Sequence, residues 1–296
     1  MRTLNISPLN RIKALALPII FIIMWSSGYV VGKIGIPYAG PFTLLFIRFG
    51  IAAAILFLVA MLTRTTWPQR TIDYLHLIVV GLLIQVLQFF GLYTALKLGV
   101  TAGITALFIG TMPIFTALGA SLLLNENINK KQYVGLVAGL AGVYLVVDNK
   151  LGTSSAGFIG YGAAVLGLIG ITLGTLYQKK FCTGMDLRVT GLVQLSMASI
   201  IALFFANGFE GFEVHWTRQL IFASAWLSIV NSIGAISLLY ILMRKGEASK
   251  VASLFYLIPG VTAIMAYLIL GETLGVKAMI GFAVTGAAVY LCTHRQ

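Results

Sequence analysis

The sequence predicts an all-α integral membrane protein with ten transmembrane helices, arranged as two inverted five-helix repeats with both termini in the cytoplasm. This prediction rests on the composition, the spacing of apolar segments, and a stretch of sequence that occurs twice. Of the 296 residues, 59% are hydrophobic and 9% are charged, and the mean hydropathy is +0.98. A soluble domain carries about 25% charged residues. This chain cannot build a water-facing surface from so few, so lipid must surround most of it.

Apolar segments long enough to cross a bilayer, which takes about 20 residues, recur along the chain. The predicted spans are Leu15–Ile36, Pro41–Leu62, Leu75–Leu96, Ala102–Leu124, Tyr133–Val147, Gly157–Tyr177, Val189–Ala206, Leu220–Met243, Val251–Leu270 and Val276–Thr293. The first follows Arg2 and Arg11, as a signal peptide would, but its length and its Trp25 and Lys33 favour a retained helix.

The distribution of lysine and arginine predicts the orientation. With the N-terminus inside, fourteen of the twenty Lys and Arg residues lie in cytoplasmic segments and five at outer ends, while Arg48 lies within the second span. Because cytoplasmic loops carry the excess of positive charge, both termini are predicted to be inside, which agrees with an even number of spans.

The net charge of +12 suggests an anionic partner. In a soluble protein this could be nucleic acid. Here the basic residues lie between apolar stretches, so the predicted partner is the anionic leaflet of the lipid bilayer, with no binding of nucleic acid. Cys182 and Cys292 fall at predicted helix ends and are interpreted as unpaired thiols. No catalytic residue, metal site or cofactor is predicted.

A doubled stretch indicates internal duplication. MPIFTALGASLLLNE (Met112–Glu126) returns as IPGVTAIMAYLILGE (Ile258–Glu272), with a proline thirteen residues before the glutamate each time. Upstream, LYTALKLG (Leu92–Gly99) resembles LYILMRKG (Leu239–Gly246), 147 positions later. Apolar helices match easily by chance, but a register anchored by proline and glutamate over some fifty residues does not arise easily.

The repeat divides the chain into two units of five spans each, 1–147 and 148–296. Because five is odd, the two units must cross the membrane in opposite senses. Inverted repeats are a recurring architecture of transporters, with the substrate site near the midplane. Two pseudo-equivalent units can exchange conformations, which gives inward-open and outward-open states of similar energy and so allows alternating access.

Pro113 and Pro259 lie near the middle of the fourth and ninth spans. Proline cannot donate a backbone hydrogen bond and clashes with the preceding turn, so carbonyls near Ile109 and Phe255 need a partner or a wet cavity. Two interrupted spans at matching positions predict a substrate-binding cavity beside the prolines. A packing kink without ligand contact is the alternative.

Polar and aromatic side chains in mid-span predict the rest of the site, because polar groups in lipid usually face the protein interior. Besides the two prolines, the candidate substrate-binding residues are Trp25, Lys33, Gln85, Gln88, Tyr93, Tyr177, Trp226, Asn231 and Tyr256. Each polar residue alone could instead bond a neighbouring helix, and each aromatic residue could pack or anchor the interface. As a set they predict a central polar cavity with aromatic walls.

Lys33 and Arg48 are the two cations set into predicted spans. Arg48 lies about 10 Å below the outer end of the second helix. It could bind a substrate carboxylate, or it could cap backbone carbonyls or snorkel outwards. We interpret it as structural, because cations near span ends commonly snorkel. For Lys33 both interpretations stay open.

Two GxxxG patterns, Gly135/Gly139 and Gly170/Gly174, would let helices approach closely. We interpret them as internal packing, with a dimer face as the alternative, so a monomer and a homodimer both stay open.

The ends of each repeat resemble a known family. The stretch WSSGYVVGKIGIPYAGPFTLLFIRFG opens with Trp25 and contains Lys33, Pro41 and Arg48-Phe49. These residues resemble the opening of an EamA domain, and Asn125-Glu126 followed by Gly142–Leu145 resembles its end. The second unit repeats that ending but has no tryptophan matching Trp25. Over nearly its whole length the chain resembles the EamA-domain family of the drug/metabolite transporter superfamily.

The resemblance implies a ten-helix carrier of the bacterial cytoplasmic (inner) membrane that exports small organic metabolites, with amino acids or related compounds as the leading expectation. All eight acidic residues lie in loops or at helix ends, which favours a facilitator or exchanger over a proton-driven pump. An intramembrane enzyme would need an acid, histidine or metal cluster at depth. A non-transporting membrane sensor or assembly protein, the remaining alternative, would need a partner domain or a long loop.

Overall fold

The structure, a computed structural model, describes residues 8–124, 130–151, 157–245, 254–255 and 257–293, and these residues form helices joined by short connections, without a strand. The helices are α1 (Pro8–Ala39), α2 (Pro41–Leu62), α3 (Thr71–Lys97), α4 (Ala102–Gly110), α5 (Met112–Leu124), α6 (Lys130–Leu151), α7 (Gly157–Phe181), α8 (Leu187–Glu210), α9 (218–245), α10 (Leu257–Leu270) and α11 (Val276–Thr293).

Six of these helices, α1, α2, α3, α7, α8 and α9, are long and apolar enough to cross a membrane. Four shorter apolar helices cover Ala102–Thr116, Tyr133–Val146, Leu257–Leu270 and Val276–Tyr290. The prediction of an all-α integral membrane protein is therefore confirmed for the described residues. The count of ten spans and the inverted arrangement stay predictions.

The predicted fourth span differs from a single helix, because it breaks at Thr111 between α4 and α5. Pro113 follows the break and has no N–H to offer the carbonyl of Ile109, so the α-helical ladder cannot continue through it. The hydroxyl of Thr111 instead donates to the carbonyl of Phe108 at 2.6 Å. Pro259 likewise lies in the first turn of α10.

The two interruptions meet in the interior. A Cβ atom added to Gly110, at the end of α4, would lie 2.7 Å from Cγ of Pro259. The kinks therefore pack against each other, as the packing alternative expects, while their neighbours Met112 and Phe255 line the cavity described below.

Helices that the sequence repeat makes equivalent run antiparallel side by side. The Glu210 carboxylate, at the end of α8, accepts hydrogen bonds from the N–H groups of Phe42 and Thr43 at the start of α2, at 3.0 and 2.8 Å. At the opposite ends, the Arg188 guanidinium donates to the Thr63 hydroxyl at 2.7 Å. These bonds fix α2 against α8, the second and seventh predicted spans.

Glycines bring a further equivalent pair together, α6 with α11. A Cβ atom on Gly142 would lie 2.9 Å from the carbonyl oxygen of Gly281, and one on Gly281 would lie 2.6 Å from that of Gly142. Gly139 faces Ile114, and Gly170 faces backbone atoms of α3. These glycines are thus used for packing inside the chain.

Candidate functional site

A small polar chamber lies between α1, α2, α3 and α9 and has a volume of about 60 Å³. It is lined by Trp25, Gly28, Tyr29, Arg48, Gln88, Phe89, Leu92, Tyr93, Asn231, Ala235 and Ile236. Four helices thus contribute polar or aromatic groups to one space, which we call the polar chamber.

Arg48 is the one charged residue of this lining, and its side chain is directed inwards. The residue is 5% exposed, its Nε donates to the Ser232 hydroxyl at 2.9 Å, and its Nη1 donates to the Tyr93 hydroxyl at 2.8 Å. The guanidinium carbon lies 4.5 Å from the centre of the Phe89 ring, within range of a cation–π interaction. Arg48 therefore does not snorkel outwards, because its hydrogen-bond partners lie on α3 and α9, whereas its interpretation as a structural residue stays a prediction.

Two glycines on α1 make room for the polar groups of the chamber. A Cβ atom on Gly28 would lie 2.7 Å from Nδ2 of Asn231, and one on Gly32 would lie 3.0 Å from the Tyr93 hydroxyl. These glycines are four residues apart and share one helix face. Any side chain at either position would displace the group opposite.

Two π-helical segments, Gly81–Gln88 in α3 and Trp226–Ala235 in α9, carry Gln85, Gln88, Asn231 and Ser232. The segments end at residues 147 positions apart, the offset that relates Leu92 to Leu239 in the sequence repeat. A π-helical segment widens the helix locally and occurs frequently at functional sites. Both predicted repeats thus present amides and hydroxyls from the same distorted position.

A larger cavity of about 600 Å³ adjoins the polar chamber and shares Trp25 and Ile236 with it. We call it the open cavity; among its lining residues are Leu56, Gln85, Met112, Ile171, Thr175, Gln178, Lys179, Cys182, Thr183, Arg188, Gln194, Ser232 and Phe255. Lys179 and Thr183 are exposed, so the cavity opens at their end of the molecule. The charge distribution assigns this end to the cytoplasm.

An ion pair beside Arg188 borders that opening. The Arg188 guanidinium hydrogen-bonds the Asp186 carboxylate, which also caps the first turn of α8, and the pair holds the pKa of Asp186 below its usual range. This rim of the open cavity therefore carries charges of both signs near neutral pH.

A second ion pair lies at the opposite end of the molecule. Lys33 Nζ lies 2.5 Å from the Glu272 carboxylate, and Glu272 also accepts a hydrogen bond of 2.9 Å from the N–H of Ala102. Lys33 further donates to the carbonyl of Val100 at 3.3 Å. The end of α1, the end of α10 and the start of α4 are thereby joined on the side that the charge distribution assigns to the exterior.

The structure brings five of the predicted site residues to the two cavities: Trp25, Gln88, Tyr93 and Asn231 at the polar chamber and Gln85 at the open cavity. Trp25 also packs edge-on against Phe255, with ring centres 5.3 Å apart.

The remaining predicted residues lie elsewhere. Tyr177 bonds Nδ1 of His76 at 2.9 Å, Trp226 donates to the Ser27 hydroxyl at 2.8 Å, and Lys33 lies in the outer ion pair. Pro113 and Pro259 take part in the helix breaks, and Tyr256 lies outside the described residues.

Three aromatic residues that the sequence does not predict also line the cavities: Tyr29 and Phe89 the polar chamber, and Phe255 the open cavity. Tyr29 follows Trp25 by four residues, so it shares the face of Trp25 on α1. That spacing is a signal that could have identified it. Phe89 and Phe255 carry no such signal, because apolar aromatics occur throughout the predicted spans.

Comparison with protein-family models finds the EamA-like transporter family twice in this chain, over residues 12–148 and 158–293. A solved structure, described as the crystal structure of a protein, has the same fold: it covers 95% of this chain and 97% of its own, with a TM-score of 0.65 at 21% identity.

Curated relatives match along almost the whole chain. The uncharacterized transporter YvbV of Bacillus subtilis is 26% identical over 93% of this chain and 90% of its own length. A protein of Salmonella typhimurium named probable amino-acid metabolite efflux pump is 25% identical over 93% of each chain. The uncharacterized inner membrane transporter YedA of Escherichia coli is 28% identical over 92% of this chain and 87% of its own. Such relatives fit an integral protein of the bacterial inner membrane, and the chain belongs to the EamA-like transporter family.

Proposed function

We propose that this protein exports small organic metabolites across the bacterial inner membrane by alternating access, with amino acids or related compounds as its substrates. The observation that carries the proposal is the open cavity, which adjoins the polar chamber and opens beside Lys179 and Thr183, at the end that the charge distribution assigns to the cytoplasm. We infer that the Lys33–Glu272 pair closes the opposite end. A carrier in this state can accept a molecule from the cytoplasm. The open cavity has a volume of about 600 Å³, which is typical of small-molecule sites.

The proposal includes ten spans in two inverted units, 1–147 and 148–296. The antiparallel pairing of α2 with α8 and of α6 with α11 supports it. A second support is that the two π-helical segments end 147 positions apart, which is the offset of the sequence repeat. Inverted units of nearly equal structure can exchange conformations at low energetic cost. The substrate class is supported by the name of the Salmonella relative, an amino-acid metabolite efflux pump.

Flux measured in proteoliposomes tests the function. Purified protein is reconstituted, and efflux is followed for a panel of labelled amino acids, sugars and cationic drugs, with protein-free liposomes as the control. We expect saturable efflux of at least one amino acid, accelerated when the same compound is present on the other side, since exchange is a property of carriers. Folded protein that moves no compound of the panel would contradict the proposal and favour the sensor or assembly alternative.

A further inference from the structure

The guanidinium of Arg48 is a buried positive charge without an acidic partner among the described residues. The ion pairs found there join Lys33 to Glu272 and Arg188 to Asp186, and neither acid reaches Arg48. A buried cation in a membrane protein is costly and usually pairs with an acid or lines a pathway for ions or substrate. Arg48, at 5% exposure, lines a chamber instead.

Part of the guanidinium remains available. Nε and Nη1 of Arg48 each donate one hydrogen bond, whereas Nη2, with two N–H groups, makes none to any described residue. The bonds to Ser232 and Tyr93 hold the guanidinium plane in place. A planar group fixed in this way matches the two oxygens of a carboxylate, which it can bind through parallel hydrogen bonds.

Two residues of the chamber lining carry hydrogen-bond acceptors without donors. Nδ2 of Asn231 donates to the carbonyl of Met24 at 2.6 Å, which fixes the orientation of the amide and leaves Oδ1 buried without a partner. Oε1 of Gln88 is also buried without a partner. Both residues are more than nine-tenths buried. Unsatisfied amide oxygens favour a ligand that brings N–H donors, such as an ammonium group.

We propose that Arg48 selects the substrate by binding its carboxylate in the polar chamber, while Asn231 and Gln88 accept hydrogen bonds from an ammonium group. The inference rests on the proposed function and narrows its substrates to zwitterions and carboxylic acids. The chamber, at about 60 Å³, takes the charged head group, and the apolar part of the molecule extends into the open cavity beside Leu56 and Met112. Cations without a carboxylate are excluded, because they would face the Arg48 charge.

Binding measurements on the unmodified protein test the proposed preference for ligands that carry a carboxylate. The probes are L-leucine and L-phenylalanine, each compared with its amide, which lacks the carboxylate, and with its deaminated acid, which lacks the ammonium group. We expect each amino acid to bind about tenfold or more tightly than its amide, the range of a charged hydrogen-bonded pair, with the deaminated acid in between. Amides that bind as well as the acids would overturn the proposal.

The same measurement separates this inference from the proposed function. If sugars or cationic drugs are transported and no carboxylate binds, the protein is a carrier and the role of Arg48 is refuted. If carboxylates bind with the expected preference and nothing is transported, the site stands and the proposed export fails.

Substitutions then assign the preference to Arg48. We expect Arg48→Gln to weaken binding of the amino acids about tenfold or more and to leave the amides unchanged, so that the preference disappears. Arg48→Lys keeps the positive charge but lacks the planar guanidinium that can bind both carboxylate oxygens. We expect this variant to retain part of the preference. Arg64→Gln, which removes an exposed cation just after the end of α2, serves as the matched control.

A purely structural role for Arg48 predicts a different pattern. If the residue only holds Tyr93 and Ser232 together, Arg48→Gln would weaken binding of acids and amides equally, and this result would overturn the proposal. If that variant does not fold, Ser232→Ala replaces it, because it frees Nε of Arg48 and keeps the charge. We expect this variant to lower the preference for the acids by a few-fold.

Discussion

Gly28 faces Asn231 across the polar chamber, and the gap between them is smaller than a methyl group. A Cβ atom at position 28 would lie 2.7 Å from Nδ2 of Asn231, so Gly28→Ala must displace the amide and break its bond to the carbonyl of Met24. Overpacking of this kind costs about 1–3 kcal/mol. We therefore expect binding of a transported amino acid to weaken about tenfold, measured by equilibrium dialysis.

Gly208→Ala is the matched control for this substitution, because a Cβ atom there meets nothing within 4 Å. It lies in α8, away from the chamber, and should leave the affinity unchanged. Equal affinities for Gly28→Ala and Gly208→Ala would contradict the view that close contact between α1 and Asn231 shapes the chamber.

At the scale of residues, the sequence predicts some side chains of the site and leaves the direction of others open. Trp25, Gln88, Tyr93 and Asn231 were predicted because polar or amphipathic side chains in mid-span usually face inwards. Arg48 could not be assigned in this way, since its long side chain can reach either the helix end or the interior. Its direction depends on hydroxyl partners on α3 and α9, distant in sequence.

The start of α2 is capped by a carboxylate from another helix, which makes Glu210 important at the scale of elements. Glu210 accepts hydrogen bonds from the N–H of Phe42, the N–H of Thr43 and the Thr43 hydroxyl, at 3.0, 2.8 and 2.7 Å. Glu210 thus satisfies backbone N–H groups that have no partner within α2, and its negative charge interacts favourably with the positive end of the helix dipole. We expect Glu210→Ala to lower the free energy of unfolding by about 1–2 kcal/mol, measured by denaturation in detergent.

Glu213→Ala provides the comparison, since Glu213 is exposed in the connection that follows α8. It should change the free energy of unfolding by less than about 0.5 kcal/mol, as surface substitutions usually do. A loss as large as that of Glu210→Ala would mean that removal of charge at this end, rather than the cap, destabilises the protein.

At this scale the sequence predicts helices well and their distortions poorly. The bounds of α2, Pro41–Leu62, agree with the predicted span, because a long apolar run leaves a lipid-exposed backbone no alternative to a helix. The break at Thr111 was signalled by Pro113. The π-helical segments were not, because one shifted hydrogen bond per turn depends on the packing of neighbouring helices rather than on a local pattern.

At the scale of the whole molecule, the proposed alternating access gives the Lys33–Glu272 pair the role of holding the exterior end closed. Side chains of the pair are 25% and 10% exposed, so the charges are partly shielded from water and their interaction is not fully screened. In a carrier whose two states have similar energies, about 1 kcal/mol moves the population about fivefold. Glu272→Gln removes the charge and keeps an oxygen that can accept from the Ala102 N–H, so we expect it to favour the outward-open state.

Cys182 reports this shift from the other end of the molecule. Cys182 lines the open cavity, and burial raises the pKa of its thiol. Because the thiolate is the reactive form, a membrane-impermeant thiol reagent is applied at mildly alkaline pH. The reagent is added to inside-out vesicles that contain the protein with Cys292→Ser, so that Cys182 is the cysteine that reacts. We expect Glu272→Gln to slow modification of Cys182 about fivefold, because closing the cytoplasmic opening restricts access. Glu213→Gln, which removes an acid from the same outer end, should leave the rate unchanged. A rate for Glu272→Gln equal to that of the unmodified protein would mean that the outer ion pair does not hold the two ends in opposite states.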